Sequence, residues 1–143
     1  MTTAADIMSP GPQWIPSTET LDRAAQLMRE LDVGALPVSD VNDPDERMCG
    51  IVTDRDIVVE CVAAGHDPSR VTCGEICKGT PRWISSDATA DEVLEEMESH
   101  RIRRLPVIDE NKRLVGMISE ADLARHLPDQ QVGEFAEHIY ANA

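Results

Sequence analysis

Ala35-Leu36-Pro37-Val38, followed by Gly50-Ile51-Val52-Thr53-Asp54-Arg55-Asp56-Ile57, returns later as Arg104-Leu105-Pro106-Val107 followed by Gly116-Met117-Ile118-Ser119-Glu120-Ala121-Asp122-Leu123. From Leu36 to Leu105 is 69 residues, the offset that also separates Ile7 from Ile76, Trp14 from Trp83, Thr20 from Thr89 and Met28 from Met97. Gly50 and Gly116 stand only 66 apart, so the first copy holds three extra residues between its two elements. A repeat this regular reads as two copies of one supersecondary unit that pack on each other. A cleft at their interface is where a ligand is expected.

Each copy reads as a helical turn, a strand, a helix, two strands and a closing helix. In the first, Ala4–Met8 is a short helical lead-in stopped by Ser9-Pro10-Gly11-Pro12. Gln13-Trp14-Ile15 is a brief strand ended by Pro16. Thr20 is placed to cap a helix to about Leu31, whose apolar stripe (Leu21, Ala24, Ala25, Leu27, Met28, Leu31) has helical spacing. Gly34 suits its C-terminal stop. Residues 35–39 and 48–53 form a hairpin across a polar loop, and 54–64 form a helix closed by Gly65.

In the second copy, Thr89-Ala90-Asp91-Glu92 has the form of a capping box. Residues 103–108 and 114–119 form the hairpin, and 120–126 the closing helix. Beyond Pro128, the residues Val132, Phe135, Ala136, Ile139 and Tyr140 recur at helical spacing. That predicts an amphipathic tail helix, covered by its own domain or a second subunit. The expected division is repeat one at 1–64, a linker at 65–72, repeat two at 73–128 and the tail at 129–143.

With 143 residues and 41% apolar content, the chain can bury one moderate core shared by two small units. The net charge of −14 argues against non-specific nucleic-acid binding and against anionic membranes. No apolar run approaches the roughly 18 residues of a membrane helix. The start lacks the basic and apolar regions of a signal peptide, so a cytoplasmic location is expected. Cys49, Cys61, Cys73 and Cys77 are too few and too irregular for a disulfide framework, and reduced thiols are the default there.

The Leu-Pro-Val strand and the Gly-apolar-apolar-(Thr/Ser)-x-x-Asp run, both present twice at matching spacing, resemble the cystathionine β-synthase (CBS) domain. The resemblance covers roughly residues 4–127. It implies an α+β fold: two β-α-β-β-α repeats packed with pseudo-twofold symmetry, here with the C-terminal amphipathic helix added. Such pairs commonly bind adenine nucleotides, or less often S-adenosylmethionine, in clefts between the repeats. The ending Ala121–Pro128 is similar to stand-alone CBS-pair proteins of the hypoxic-response type, which implies a stress-response setting and a homodimer.

Thr53 and Asp56, repeated as Ser119 and Asp122, stand where a strand enters a helix. A hydroxyl and a carboxylate there can meet a phosphate and a ribose, or can simply cap the helix. Arg55 can neutralise a phosphate or pair with Asp54 or Glu60. The second junction has no cation of its own, and Arg101, Arg103 or Arg104 would supply one. Arg104 precedes Leu105-Pro106, where the family often contributes a ligand-facing residue, whereas its counterpart Ala35 cannot do so. The two clefts are therefore expected to be unequal. Trp14 and Ile15, with Trp83 and Ile84, border the family's base pocket or serve as core or interface anchors. Pro37 and Pro106 fall near the strands' shared edge and first remove an N–H donor. Cys73-x3-Cys77 with His66 lacks a second ligand pair for zinc, and small apolar packing is its simpler role.

No Ser-His-Asp arrangement or glycine-rich phosphate loop is present. No enzyme activity is expected, and the resemblance implies a ligand-responsive regulatory module. It would bind AMP, ADP, ATP or S-adenosylmethionine as a regulatory ligand and require no cofactor. The alternative is a structural dimer with degenerate pockets that recruits a protein partner.

Overall fold

The computed structural model describes residues 1–44, 47–77 and 82–140. In chain order the elements are α1 (Ala4–Ile7), β1 (Ser9–Pro10), β2 (Ile15–Pro16), α2 (Leu21–Leu31), β3 (Ala35–Ser39), β4 (Met48–Thr53) and α3 (Asp54–Asp56). A π-helical turn, Ile57–Val62, continues α3, and then come α4 (Cys73–Ile76), β5 (Ile84–Ser85), α5 (Ala90–His100), β6 (Arg104–Ile108), β7 (Leu114–Ser119), α6 (Glu120–His126) and α7 (Asp129–Tyr140). The order β-α-β-β-α therefore occurs twice, and the chain is an α+β pair of repeats.

In space the chain forms two compact units, Met1–Pro12 with Arg82–Ala143, and Gln13–Pro81. Each short lead-in helix packs within the unit built on the other repeat's strands. Ala4 and Ile7 of α1 are fully buried with Val93, Met97, Leu105, Ile118 and Leu123. Cys73 of α4 is buried with Leu21, Leu36, Val38 and Val52, and Ile76 packs against the same cluster. The motif glycines explain how the lead-ins approach so closely. A Cβ at Gly50 would collide with Cys77 Sγ. One at Gly116 would collide with the Met8 side chain and lie 2.9 Å from the Ser9 carbonyl oxygen.

The first unit carries a four-stranded sheet in the order β1-β7-β6-β5, and the second a sheet β2-β3-β4 among the described residues. Each long hairpin is antiparallel, and each short strand, β2 or β5, pairs in parallel with β3 or β6. Ser9-Pro10, expected only to stop a helix, instead pairs with Met117 and Gly116 as the fourth strand. The matching stretch of the other unit, residues 78–81, lies outside the described residues.

Pro37 and Pro106 occupy central strands rather than sheet edges. They are tolerated because β2 pairs only with Val38 and Ser39, and β5 only with Val107 and Ile108, so each proline stands just past the end of its short neighbour. Helix α2 stops earlier than Gly34. Asp32 turns left-handed (φ 55°), and the Val33 N–H closes on the Met28 carbonyl at 3.0 Å. Arg101 (φ 51°) and Ile102 do the same after α5. Thr89 accepts from the Glu92 N–H at 3.2 Å, but the reciprocal half of the expected capping box is not among the bonds of the described residues. The helix expected over 54–64 is α-helical only to Asp56 before widening into the π turn. Gly65 closes it with φ 79°. The tail helix α7 is covered by its own unit, burying Phe135 against α5 and α6, with Val132 and Ile139 partly buried beside it.

Candidate functional site: the two strand-to-helix junctions

Hairpin register builds both junctions. Arg104 stands directly across the ladder from Ser119, as Ala35 does from Thr53. Directly opposed residues on an antiparallel pair share one face, so the Arg104 side chain rises on the same side as the Ser119 hydroxyl. Arg104 is half-buried, and no carboxylate of the described residues lies within ion-pair distance of it. Arg103 precedes β6 in a bend. Its guanidinium lies 5.9 Å from the Tyr140 ring centroid, donates to the Tyr140 hydroxyl at 3.2 Å and lies 3.9 Å from the Glu120 carboxylate. Of the arginines the sequence offered, the register sets Arg104 opposite Ser119, while Arg103 bridges the first residue of α6, Glu120, and Tyr140 of the tail helix.

The capping role proposed for both motifs is realised. Thr53 Oγ accepts from the Asp56 N–H at 3.0 Å while Asp56 Oδ2 accepts from the Thr53 N–H at 3.1 Å. Ser119 and Asp122 repeat the exchange, with the Ser119 N–H donating to Asp122 Oδ2 at 2.9 Å. Beyond this box the copies diverge. Asp122 is only 3% exposed, and it takes further bonds from Ser119 Oγ, Ser9 Oγ and Arg125 Nη1. Asp56 is half-buried, and the Thr53 N–H is the donor it has among the described residues. Arg55 projects into solvent, without an ion pair to Asp54 or Glu60.

Trp14 and Trp83 are 36% and 47% exposed, so neither is a core anchor. Lys112 Nζ stands 5.6 Å from the Trp83 ring centroid. Ile15 is buried and Ile84 half-buried, each one step along the sheet from Pro37 or Pro106. A groove of about 200 Å³ on the second unit is lined by Trp14, Ile15, Glu19, Arg23 and Leu27. It gathers the Trp14 strand with α2 but does not include Thr53, Arg55 or Asp56.

Cys61 and Cys73 are buried in the core cluster of the second unit, with Cys49 and Cys77 partly buried against it. Burial, with nearby Glu19, pushes the Cys73 thiol up to about 11. Burial and the neighbouring Cys49 push Cys77 to about 12, and burial raises Cys49. Such thiols are poor nucleophiles near neutral pH. Sequence reasoning missed Ser9 and Tyr140 as partners of junction residues. The need for glycine at positions 50 and 116 was the available signal that another segment crosses there.

The CBS domain family model matches residues 4–62 and 73–129, and the chain belongs to the CBS domain family. Hypoxic response protein 1 of Mycobacterium tuberculosis is 47% identical over 139 residues, 97% of this chain and 94% of that one. The YlbB protein of Bacillus subtilis is 36% identical over 124 residues, 87% of this chain and 81% of its own length. Among solved structures, Hypoxic Response Protein I with two coordinated zinc ions superposes with a TM-score of 0.76 at 49% identity, over 89% of this chain and 100% of that one. The CBS domain protein PAE2072 of Pyrobaculum aerophilum, complexed with AMP, shares the fold with a TM-score of 0.77 at 24% identity, over 94% of this chain and 98% of that one. The zinc belongs to that relative. Here, among the described residues, no three His, Cys, Asp or Glu side chains are disposed to hold a metal ion. Nor is any described helix long and apolar enough to cross a membrane.

Proposed function

We propose that this CBS pair is a ligand-responsive regulatory module whose strand-to-helix junctions take an adenine nucleotide or a related adenosyl ligand. The observation that carries the reading is the ladder register that sets a half-buried Arg104 opposite Ser119. A guanidinium beside a hydroxyl suits an anionic phosphate, and Asp122 three residues on suits a ribose. At the first junction Thr53, Arg55 and Asp56 offer the same chemistry with a more exposed cation. The AMP complexed with the Pyrobaculum aerophilum protein and the hypoxic-response relative support this reading and its stress setting. Regulation requires that ligand favour one arrangement of the module over another, because it shifts an equilibrium only by its differential affinity. The reading includes a cytoplasmic homodimer that carries out no catalysis itself.

Thermal melting with AMP, ADP, ATP or S-adenosylmethionine tests it. A ligand at about 100 times its Kd stabilises the folded state by about 2.7 kcal/mol and raises Tm accordingly. Arg104→Ala is expected to lessen that rise by the share that the second junction contributes. Ligand-induced shifts identical in Arg104→Ala would take the arginine out of the site, and no shift with any ligand would reject nucleotide sensing. A second reading, an interaction module that recruits a protein, is favoured by one feature. Val58, Val59 and Val62 are 57%, 44% and 56% exposed on one helical segment. Val62→Glu would then abolish partner capture while leaving nucleotide effects intact.

A further inference from the structure

We infer that Ser9 occupies the ribose-binding position on Asp122, so that the second junction is closed by the chain's own hydroxyl and must release Ser9 before it takes a ligand. The inference rests on the nucleotide reading above and concerns how that site is regulated. A carboxylate offers about four acceptor positions. On Asp122, Oδ2 receives the Ser119 N–H at 2.9 Å and Ser119 Oγ at 3.0 Å, while Oδ1 receives Ser9 Oγ at 2.8 Å and Arg125 Nη1 at 3.3 Å. Three of these belong to α6 and its cap. The fourth comes from 113 residues away.

Ser9 is not there by chance of rotamer alone. β1 pairs Ser9 with Met117 and Pro10 with Gly116, and the absence of a side chain at Gly116 lets the Ser9 backbone lie against β7. The hydroxyl is thereby delivered to Oδ1, the carboxylate oxygen that Ser119 does not use and that otherwise receives only the longer Arg125 contact among the described residues. A ribose hydroxyl would need that same oxygen with the same donor geometry. In the 69-residue register the residue matched to Ser9 is Lys78, which carries no hydroxyl. Ser9 itself is solvent-exposed and held by a two-residue strand, so it can leave without unpacking the core.

Calorimetric titration of full-length wild type, Ser9→Ala, Ser9→Thr and Ser9→Ala/Asp122→Ala with AMP and ATP tests the gate. Ser9→Ala keeps the backbone pairing of β1 and is expected to melt within a few degrees of wild type. Hydrogen bonds to charged groups are worth enough to shift an equilibrium about tenfold or more. Affinity at the second junction should therefore rise by at least about tenfold in Ser9→Ala. Ser9→Thr, which keeps the hydroxyl, should behave as wild type, and the double variant should lose the gain. If wild type binds and Ser9→Ala binds no more tightly or with no more sites, the gate is overturned while the nucleotide reading stands. If no variant binds AMP or ATP, both fall.

Discussion

Gly50 and Gly116 are the residues on which the fold turns, and each is required for space rather than for a special backbone angle. At Gly116 an added Cβ would meet backbone, the Ser9 carbonyl oxygen, as well as Met8. At Gly50 it would meet the Sγ of Cys77, which would have to rotate away from its place beside the core. Gly116→Ala and Gly50→Ala are each expected to lower stability by about 1–3 kcal/mol, the usual cost of overpacking, seen as a fall of several degrees in Tm. Unchanged melting in both would mean the lead-in segments do not lie where they are described. Strand alternation over the expected strand 103–108 says only that Arg103 and Arg104 face opposite ways. Which one faces the junction depended on register, and register was not legible until Ser119 was seen across from Arg104.

At the scale of elements, the strongly patterned segments were readable and the short ones were not. Helices α2 and α5 carry apolar stripes, and the β3–β4 and β6–β7 hairpins carry β-rich runs. All four appear close to the bounds their patterns imply. The two-residue strand β1 has no periodicity to read, and its partner lies over 100 residues away. Helix α7 was expected to need a cover, and its own unit supplies one through Phe135, which is only 3% exposed. Phe135→Ala should cost about 3–5 kcal/mol, a large fraction of the stability of a chain this size, and melting would read it directly. A change of less than about 1 kcal/mol would mean that α7 is not docked. Around α4, Cys73 and Cys77 titrate at about 11 and 12 in the folded chain, above their ordinary 9.0. The unfolded chain therefore loses these protons first as pH rises. Their contribution is complete below pH 9 and declines from there toward pH 11–12. Denaturant unfolding should show that alkaline loss, and it should shrink in Cys73→Ala/Cys77→Ala. An equal loss in the double variant would assign it to other groups.

At the scale of the whole molecule, the doubled motif made the α+β repeat legible because both copies keep the same residues at the same offset. The exchange of lead-in helices was hidden, because sequence order places each beside its own repeat while packing places it in the other unit. The inequality of the two junctions was partly legible. Ala35 against Arg104 could be read from the alignment of copies. The engagement of Asp122 by Ser9 could not, since it is a tertiary contact. The central claim is that these junctions bind an adenine nucleotide. Calorimetric titration of the wild-type chain and the Asp56→Ala/Arg104→Ala double variant, altered at both junctions, with AMP, ADP, ATP and S-adenosylmethionine tests it most directly. Saturable binding of at least one of the four is expected, weakened about tenfold or more in the folded double variant. Heat absent for all four, or binding that the double variant leaves unchanged, would contradict it.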